Sequence, residues 1–158
     1  MPFQTHCYLA PDGRLDMEKT LAAFQEFFRE HSEHWVGRFD YQEAGPQLLL
    51  RAFLQRVVNS GSRIDREYGL GRKRTDLMVA WPHDKGIQKV VIELKILYKS
   101  LERTMAEGLP QIAEYMDRRG TDDGHLIVFD RRADRKREDK IFRKSEPFEG
   151  KTIVLWGV

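Results

Sequence analysis

Apolar positions recur along the chain with two periods, and the change from one to the other divides it into helices and strands. Met17, Leu21, Phe24 and Phe28 return on one helical face behind Asp16. This predicts a helix capped by that aspartate and running to about His31, after an extended piece and a Pro11-Asp12-Gly13 turn. His31, Glu33 and His34 follow it in a spacing that matches no closed metal site. A second helix is expected from Glu43, with Pro46 in its first turn. Leu48, Leu49, Leu50, Ala52, Phe53, Leu54, Val57 and Val58 make that helix apolar on most sides, hence buried, until Asn59-Ser60-Gly61-Ser62 stops it.

The period then shortens to two, predicting strands over 63–68, 75–81 and 89–97, joined through Gly69-Leu70-Gly71 and Pro82-His83-Asp84-Lys85-Gly86. A loop placed symmetrically over 82–87 pairs Trp81 with Gln88 and therefore sets Asp76 opposite Glu93. The pattern returns to helical over 100–120, where Met105, Leu109, Ile112 and Met116 form a stripe. Gly108-Leu109-Pro110 predicts a kink or a fresh start at Pro110. His125 to Phe129 is apolar on both sides and is expected to lie parallel to its neighbour after the helical crossover. A charged loop or frayed helix to Lys144 and a short strand over 152–156 complete an α/β chain, with a central mixed sheet flanked by helices and an extra helix at the N-terminal side.

The strand over 89–97 carries the chemistry. Val90, Ile92, Leu94 and Ile96 occupy one face, and Glu93 and Lys95 project from the other, about 7 Å apart. Charges in an apolar strand cost several kcal/mol without partners. Two facing carboxylates, Asp76 and Glu93, repel unless a cation lies between them. Such a pair suits Mg²⁺ or Mn²⁺, and Lys95 on the same face is placed to activate a water or to stabilise charge building on a phosphate. The bland alternative is a solvent-facing salt-bridge ladder. Gln111 and Tyr115 add a second polar pair on one face of the helix that follows.

Composition narrows the classes. One domain suffices for 158 residues, and with Cys7 the single cysteine no internal disulfide forms, which suits a reducing cytoplasm. No apolar run approaches the length of a bilayer span. The net charge of +2 is too balanced to argue for nucleic acid, but basic residues cluster locally. Arg63, Arg66, Arg72, Lys73 and Arg74 stand against Asp65 and Glu67, as a phosphate-binding surface or a solvated charged face would have them. His125 and the three tryptophans, Trp35, Trp81 and Trp156, are assigned to packing rather than to chemistry.

The sequence of elements, a helix with Glu43, a strand, a strand with Asp76, a strand with Glu93-x-Lys95, a helix with Gln111-x-x-x-Tyr115 and a strand, resembles the PD-(D/E)xK nuclease superfamily over residues 42–130. The longer wording, Asp65-Arg-Glu-Tyr-Gly-Leu-Gly-Arg, Ile92-Glu-Leu-Lys and Gly108-Leu-Pro-Gln-Ile-Ala-Glu-Tyr-Met-Asp among it, is similar to the nuclease-like domain found C-terminal to AAA-ATPase-like modules in bacterial proteins. The resemblance implies a restriction-endonuclease-like αβββαβ core in a single domain over 1–158, with 1–41 a helical extension and 131–158 a charged loop and terminal strand. It further implies a metal-dependent nuclease acting on DNA, with RNA as the other candidate, or else a silent nucleic-acid-binding or regulatory module of an ATPase-linked system. Asp76 and Glu93 would hold the metal, Lys95 would be the catalytic lysine, Glu43 an auxiliary ligand, and Gln111 and Tyr115 would contact the attacking water or the substrate phosphate. Thr75 stands where the name-giving proline would be. No Gly-x-x-x-x-Gly-Lys-Ser/Thr occurs, so the motor would be a partner module.

Overall fold

Asp16 caps the first helix as expected, its Oδ1 accepting the Lys19 N–H at 3.0 Å. In the computed structural model this helix, α1, spans Met17–Val36, five residues past the predicted end, so His31, Glu33 and His34 fall inside its last turns. The structure describes residues 8–36, 44–57, 63–68, 75–97, 99–130 and 136–158, with the backbone alone at 31–36, 44–48, 57, 63–68, 75–76 and 137. Helix α2, Ala44–Val57, buries Leu50, Phe53 and Leu54 but exposes Ala52, Gln55 and Arg56. Among its described side chains, 49–56, it is thus buried along one stripe rather than on most sides. A helix docked on a single sheet face needs only that stripe.

The strands β1 (Arg63–Tyr68), β2 (Thr75–His83), β3 (Gly86–Ile96), β4 (Gly124–Phe129), β5 (Phe142–Phe148) and β6 (Lys151–Gly157) form one mixed sheet in the order β1-β2-β3-β4-β6-β5. The chain is therefore of the α/β class. β1, β2 and β3 run as an antiparallel meander, while β4 lies parallel to both β3 and β6. The expected register holds, with Trp81 opposite Gln88 and Asp76 opposite Glu93. The connection is tighter than predicted, since pairing continues through Pro82↔Ile87 to His83↔Gly86 and leaves Asp84 and Lys85 as the turn. Proline is tolerated there because the described β1 ladder ends at Ala80, so among the described residues Pro82 has a strand on one side alone.

Helix α3, Leu101–Arg119, runs unbroken through Pro110 rather than starting afresh. The carbonyl that proline leaves without a donor belongs to Ala106, and both residues are exposed, so solvent can reach it. Ser100 Oγ caps the start by accepting the Arg103 N–H, and Gly120 ends the helix in the left-handed region. The stretch expected as charged loop or frayed helix to Lys144 is corrected from Phe142 on, where a strand begins. A one-turn helix α4 (Arg137–Lys140) precedes this edge strand β5, paired antiparallel to β6.

Two cores lie on opposite faces of the sheet. Leu21, Phe24, Leu50 and Leu54 from α1 and α2 pack on Leu77, Val90, Ile92 and Leu94. Ile112, Ala113, Tyr115 and Met116 from α3 pack on Met78, Val91, Leu126 and Val128. Each fully buried aliphatic side chain contributes about 1.5–3 kcal/mol relative to exposure, which fixes both helical layers against β3. The segment before α1 is tied on as well. Buried Gln88 accepts the Leu15 N–H at 2.8 Å and donates to its carbonyl at 3.0 Å, and Trp81 Nε1 donates to Gly13 O at 2.9 Å. No helix among the described residues is long and apolar enough to cross a membrane.

Candidate active site

Alternation along β3 decides which face holds the polar residues. Val91 belongs to the core beneath α3, so Glu93 and Lys95, two and four residues on, share that face. Met78 marks the same face of β2, and Asp76 is two residues before it and opposite Glu93 in the ladder. Glu93 and Lys95 therefore stand beneath α3, and the ladder sets the Asp76 backbone on the adjacent strand opposite Glu93. Glu93 is 0% exposed and Lys95 6% exposed, so the expectation of a solvent-facing ladder fails at these two positions.

Two close approaches fix α3 above them. A Cβ built on Gly108 would lie 3.0 Å from Leu126 Cδ2 and 3.5 Å from Lys95 Cγ, and Leu126 is the ladder partner of Glu93. A Cβ on Gly124 would run into Met116, and Gly124 is the partner of Val91. Between these anchors the helix carries Gln111 and Tyr115 over the stretch from Glu93 to Val91. Helical side chains tilt toward the N-terminal end, so the Tyr115 ring leans from its own turn toward that of Gln111. Tyr115 is completely buried and Gln111 half-buried. The absence of a side chain at Gly108 is thus functional in placement, since it lets the helix backbone rest on the lysine stem.

Of the remaining predicted positions, Glu43, Arg72, Lys73 and Arg74 lie outside the described residues. Arg63 and Arg66 are on β1, opposite Ala80 and Leu77, with their backbone alone described. Two arginines that the sequence did not single out border the site. The Arg118 and Arg119 guanidinium carbons stand 5.5 Å and 5.4 Å from the Tyr115 ring centroid. Their spacing of three and four residues from Tyr115, which places them on its helix face, was the available signal.

His125 is 2% exposed and on the other face, with the α1 and α2 core. Trp156 Nε1 donates to its Nδ1 at 3.1 Å, so the ring proton sits on Nε2 and is donated to Asp123 Oδ1 at 2.8 Å. This is a satisfied core histidine, as expected. Trp156 is buried and Trp81 half-buried, both in packing roles; Trp35 lies outside the described side chains. A cleft of about 310 Å³ opens beside His125, between Asp12, Asp16, Glu18, Gln88 and Asp123. It faces away from Glu93 and Lys95. Glu18 is held below the usual carboxylate range by its hydrogen bond from Arg143, with two contacts at 2.7 Å and 2.5 Å, against a desolvation that pushes it up.

Chemically, the α3 face offers the carboxylate of Glu93, the amine of Lys95, and an amide and a phenol from the overlying helix, with Asp76 at the ladder position opposite Glu93. Comparison of the chain with family models, with curated proteins and with solved structures finds no match, so the site stands on its own geometry.

Proposed function

We propose that the chain is a Mg²⁺-dependent nuclease domain of the PD-(D/E)xK type, with a restriction-endonuclease-like core, that hydrolyses DNA phosphodiester bonds. The observation that carries this reading is the ladder pairing of Asp76 with a fully buried Glu93, two residues from a buried Lys95, beneath a helix bearing Gln111 and Tyr115. Buried like charges at cross-strand distance are tolerated when a cation joins them, and carboxylate oxygens are the ligands Mg²⁺ takes. Asp76 and Glu93 would hold the ion, with Glu43 as auxiliary ligand. When bound, it would polarise the phosphoryl oxygen and lower the pKa of water.

The chain's own groups do the rest. Lys95, its stem held under Gly108, shares the sheet face of Glu93, from which it would offset charge developing on phosphorus and orient the attacking water. Gln111 contributes an amide donor and acceptor from the helix side. Tyr115, with its ring locked in the core, presents a hydroxyl whose position varies little, as positioning of a phosphate demands. An AAA-ATPase-like module is proposed as partner, on the resemblance of the sequence to the nuclease-like domain found C-terminal to such modules.

Full burial of Glu93 favours a second reading, a silent module that binds nucleic acid and keeps the polar cluster closed. Incubation with linear, circular and single-stranded DNA and with RNA, in Mg²⁺ or Mn²⁺, separates the two. The nuclease reading expects cleavage that Asp76→Ala and Lys95→Ala abolish, with metal binding retained in the lysine variant. Absence of cleavage, or cleavage indifferent to both substitutions, sinks it.

A further inference from the structure

We propose that Arg118, Arg119 and Lys89 form a ridge that holds backbone phosphates of the nucleic-acid strand away from the reacting bond; this rests on the nuclease reading above. Cations in the last turn of a helix are favoured by its dipole, so the two arginines alone mean little. Three further observations give them a direction. Both guanidinium groups stand over the ring of Tyr115, which ties them to the face of α3 that covers Glu93 and Lys95. Lys89 converges from the sheet. It is exposed, its Nζ donates to the Arg119 carbonyl at 3.4 Å, and its own carbonyl accepts the Thr121 hydroxyl at 2.6 Å, so strand and helix end are pinned together. Finally, Asp117 on the same helix end pairs with Lys151 at 2.6 Å, so this acid is engaged by a cation from β6.

Position gives the substrate segment. Lys89 lies four residues before Glu93 on the same face of β3, about 13 Å away. At roughly 3.4 Å of duplex axis per strand charge, that distance spans about four phosphates. The ridge would therefore grip one flank of the strand while Glu93 and Lys95 face the reacting phosphate. The stacked arginines also keep their planar donors pre-ordered by the ring, which reduces the side-chain entropy lost on phosphate binding.

The test is fluorescence-anisotropy binding of a labelled 30-base-pair DNA to the full chain in chelator, across a salt series, with cleavage kinetics in Mg²⁺ alongside. Lys89→Gln, Arg118→Ala and Arg119→Ala should each lower the slope of log affinity against log salt by about 1. Their cleavage loss should appear as a raised KM, and Arg118→Lys should restore the slope. Lys89→Gln, at an exposed strand position, keeps the test alive if a helix variant unfolds. Slopes equal to wild type in all three variants, with wild-type DNA bound and cleaved, overturn the ridge and leave the nuclease reading standing. Wild-type protein that neither binds nor cleaves DNA overturns both.

Discussion

Replacing Glu93 by glutamine should stabilise the metal-free protein while removing its response to metal. Glu93 is completely buried, and Asp76 is its ladder partner. Unit charges about 5 Å apart in an effective dielectric of 20 repel by about 3 kcal/mol, and Lys95, about 7 Å along the strand, returns roughly 2 kcal/mol of that. The neutral amide also sheds the desolvation of a carboxylate, several kcal/mol in part compensated by its surroundings. A net gain of about 1–3 kcal/mol follows for Glu93→Gln in chelator, read as a rise in the urea midpoint at unchanged m. If the proposed site takes Mg²⁺, a hundredfold excess over its Kd would add about 2.7 kcal/mol to wild type by mass action, which for a chain of this size would raise Tm by roughly 5–11 °C. The variant should show less than a quarter of that rise. Thermal denaturation with and without Mg²⁺, on both proteins, measures all four values. A variant less stable than wild type in chelator, or one stabilised by Mg²⁺ to the same extent, refutes the reasoning.

Other residues yield narrower expectations. His125→Phe leaves the buried Trp156 N–H without its acceptor and should cost about 1–3 kcal/mol; with Trp156→Phe in a double-mutant cycle the two should couple by at least about 1 kcal/mol in urea unfolding, and additivity would contradict the bond. Gly157→Ala drives a methyl into the Lys140 carbonyl and the Phe142 ring, so the chain should lose at least about 2 kcal/mol, whereas at Gly124 the flexible end of Met116 can move aside. Because the Glu18 carboxyl is lowered by Arg143, that pair contributes stability above the ordinary glutamate range and loses it as pH falls and Glu18 is protonated. Both side chains are nearly half exposed, so the contribution is under ~1 kcal/mol, and Arg143→Ala should flatten the acid limb of the urea midpoint against pH.

The order of helices and strands as far as β4, the parallel placement of β4 and the facing of Asp76 and Glu93 were legible, the facing because of hairpin geometry. The β2–β3 hairpin is symmetric about its turn, so even a turn two residues long instead of six leaves every pair in place. β5 was not legible because an edge strand is written in the residues that discourage further pairing. Arg143, Lys144, Glu146 and Pro147 look like loop, and only the antiparallel ladder to β6 reveals a strand. Its turn was missed with it, although Glu149 and Gly150, at φ 49° and 79°, take the left-handed pair that two-residue hairpins require. Pro110 misled in the opposite sense, since proline rules describe the loss of a hydrogen bond but not whether water can replace it. In the candidate site, residue types and spacing exposed the charged triad and the Gln–Tyr pair. That Glu93 and Tyr115 are fully enclosed depends on how closely α3 approaches at Gly108, a distance no periodicity encodes.

The division of the cluster between a hairpin and the helix after it has a kinetic consequence. Asp76 and Glu93 meet through a two-residue turn, a local contact of the kind that forms in microseconds. The roof over them comes only when α3 docks, and β4 can join β3 only across that whole crossover. During synthesis the two acids thus come together before Gln111 and Tyr115 have folded over them. A nascent chain halted before α3 would own the carboxylates and the lysine but lack the helix that encloses Glu93, so the last step in assembling this half of the sheet is also the step that buries the cluster.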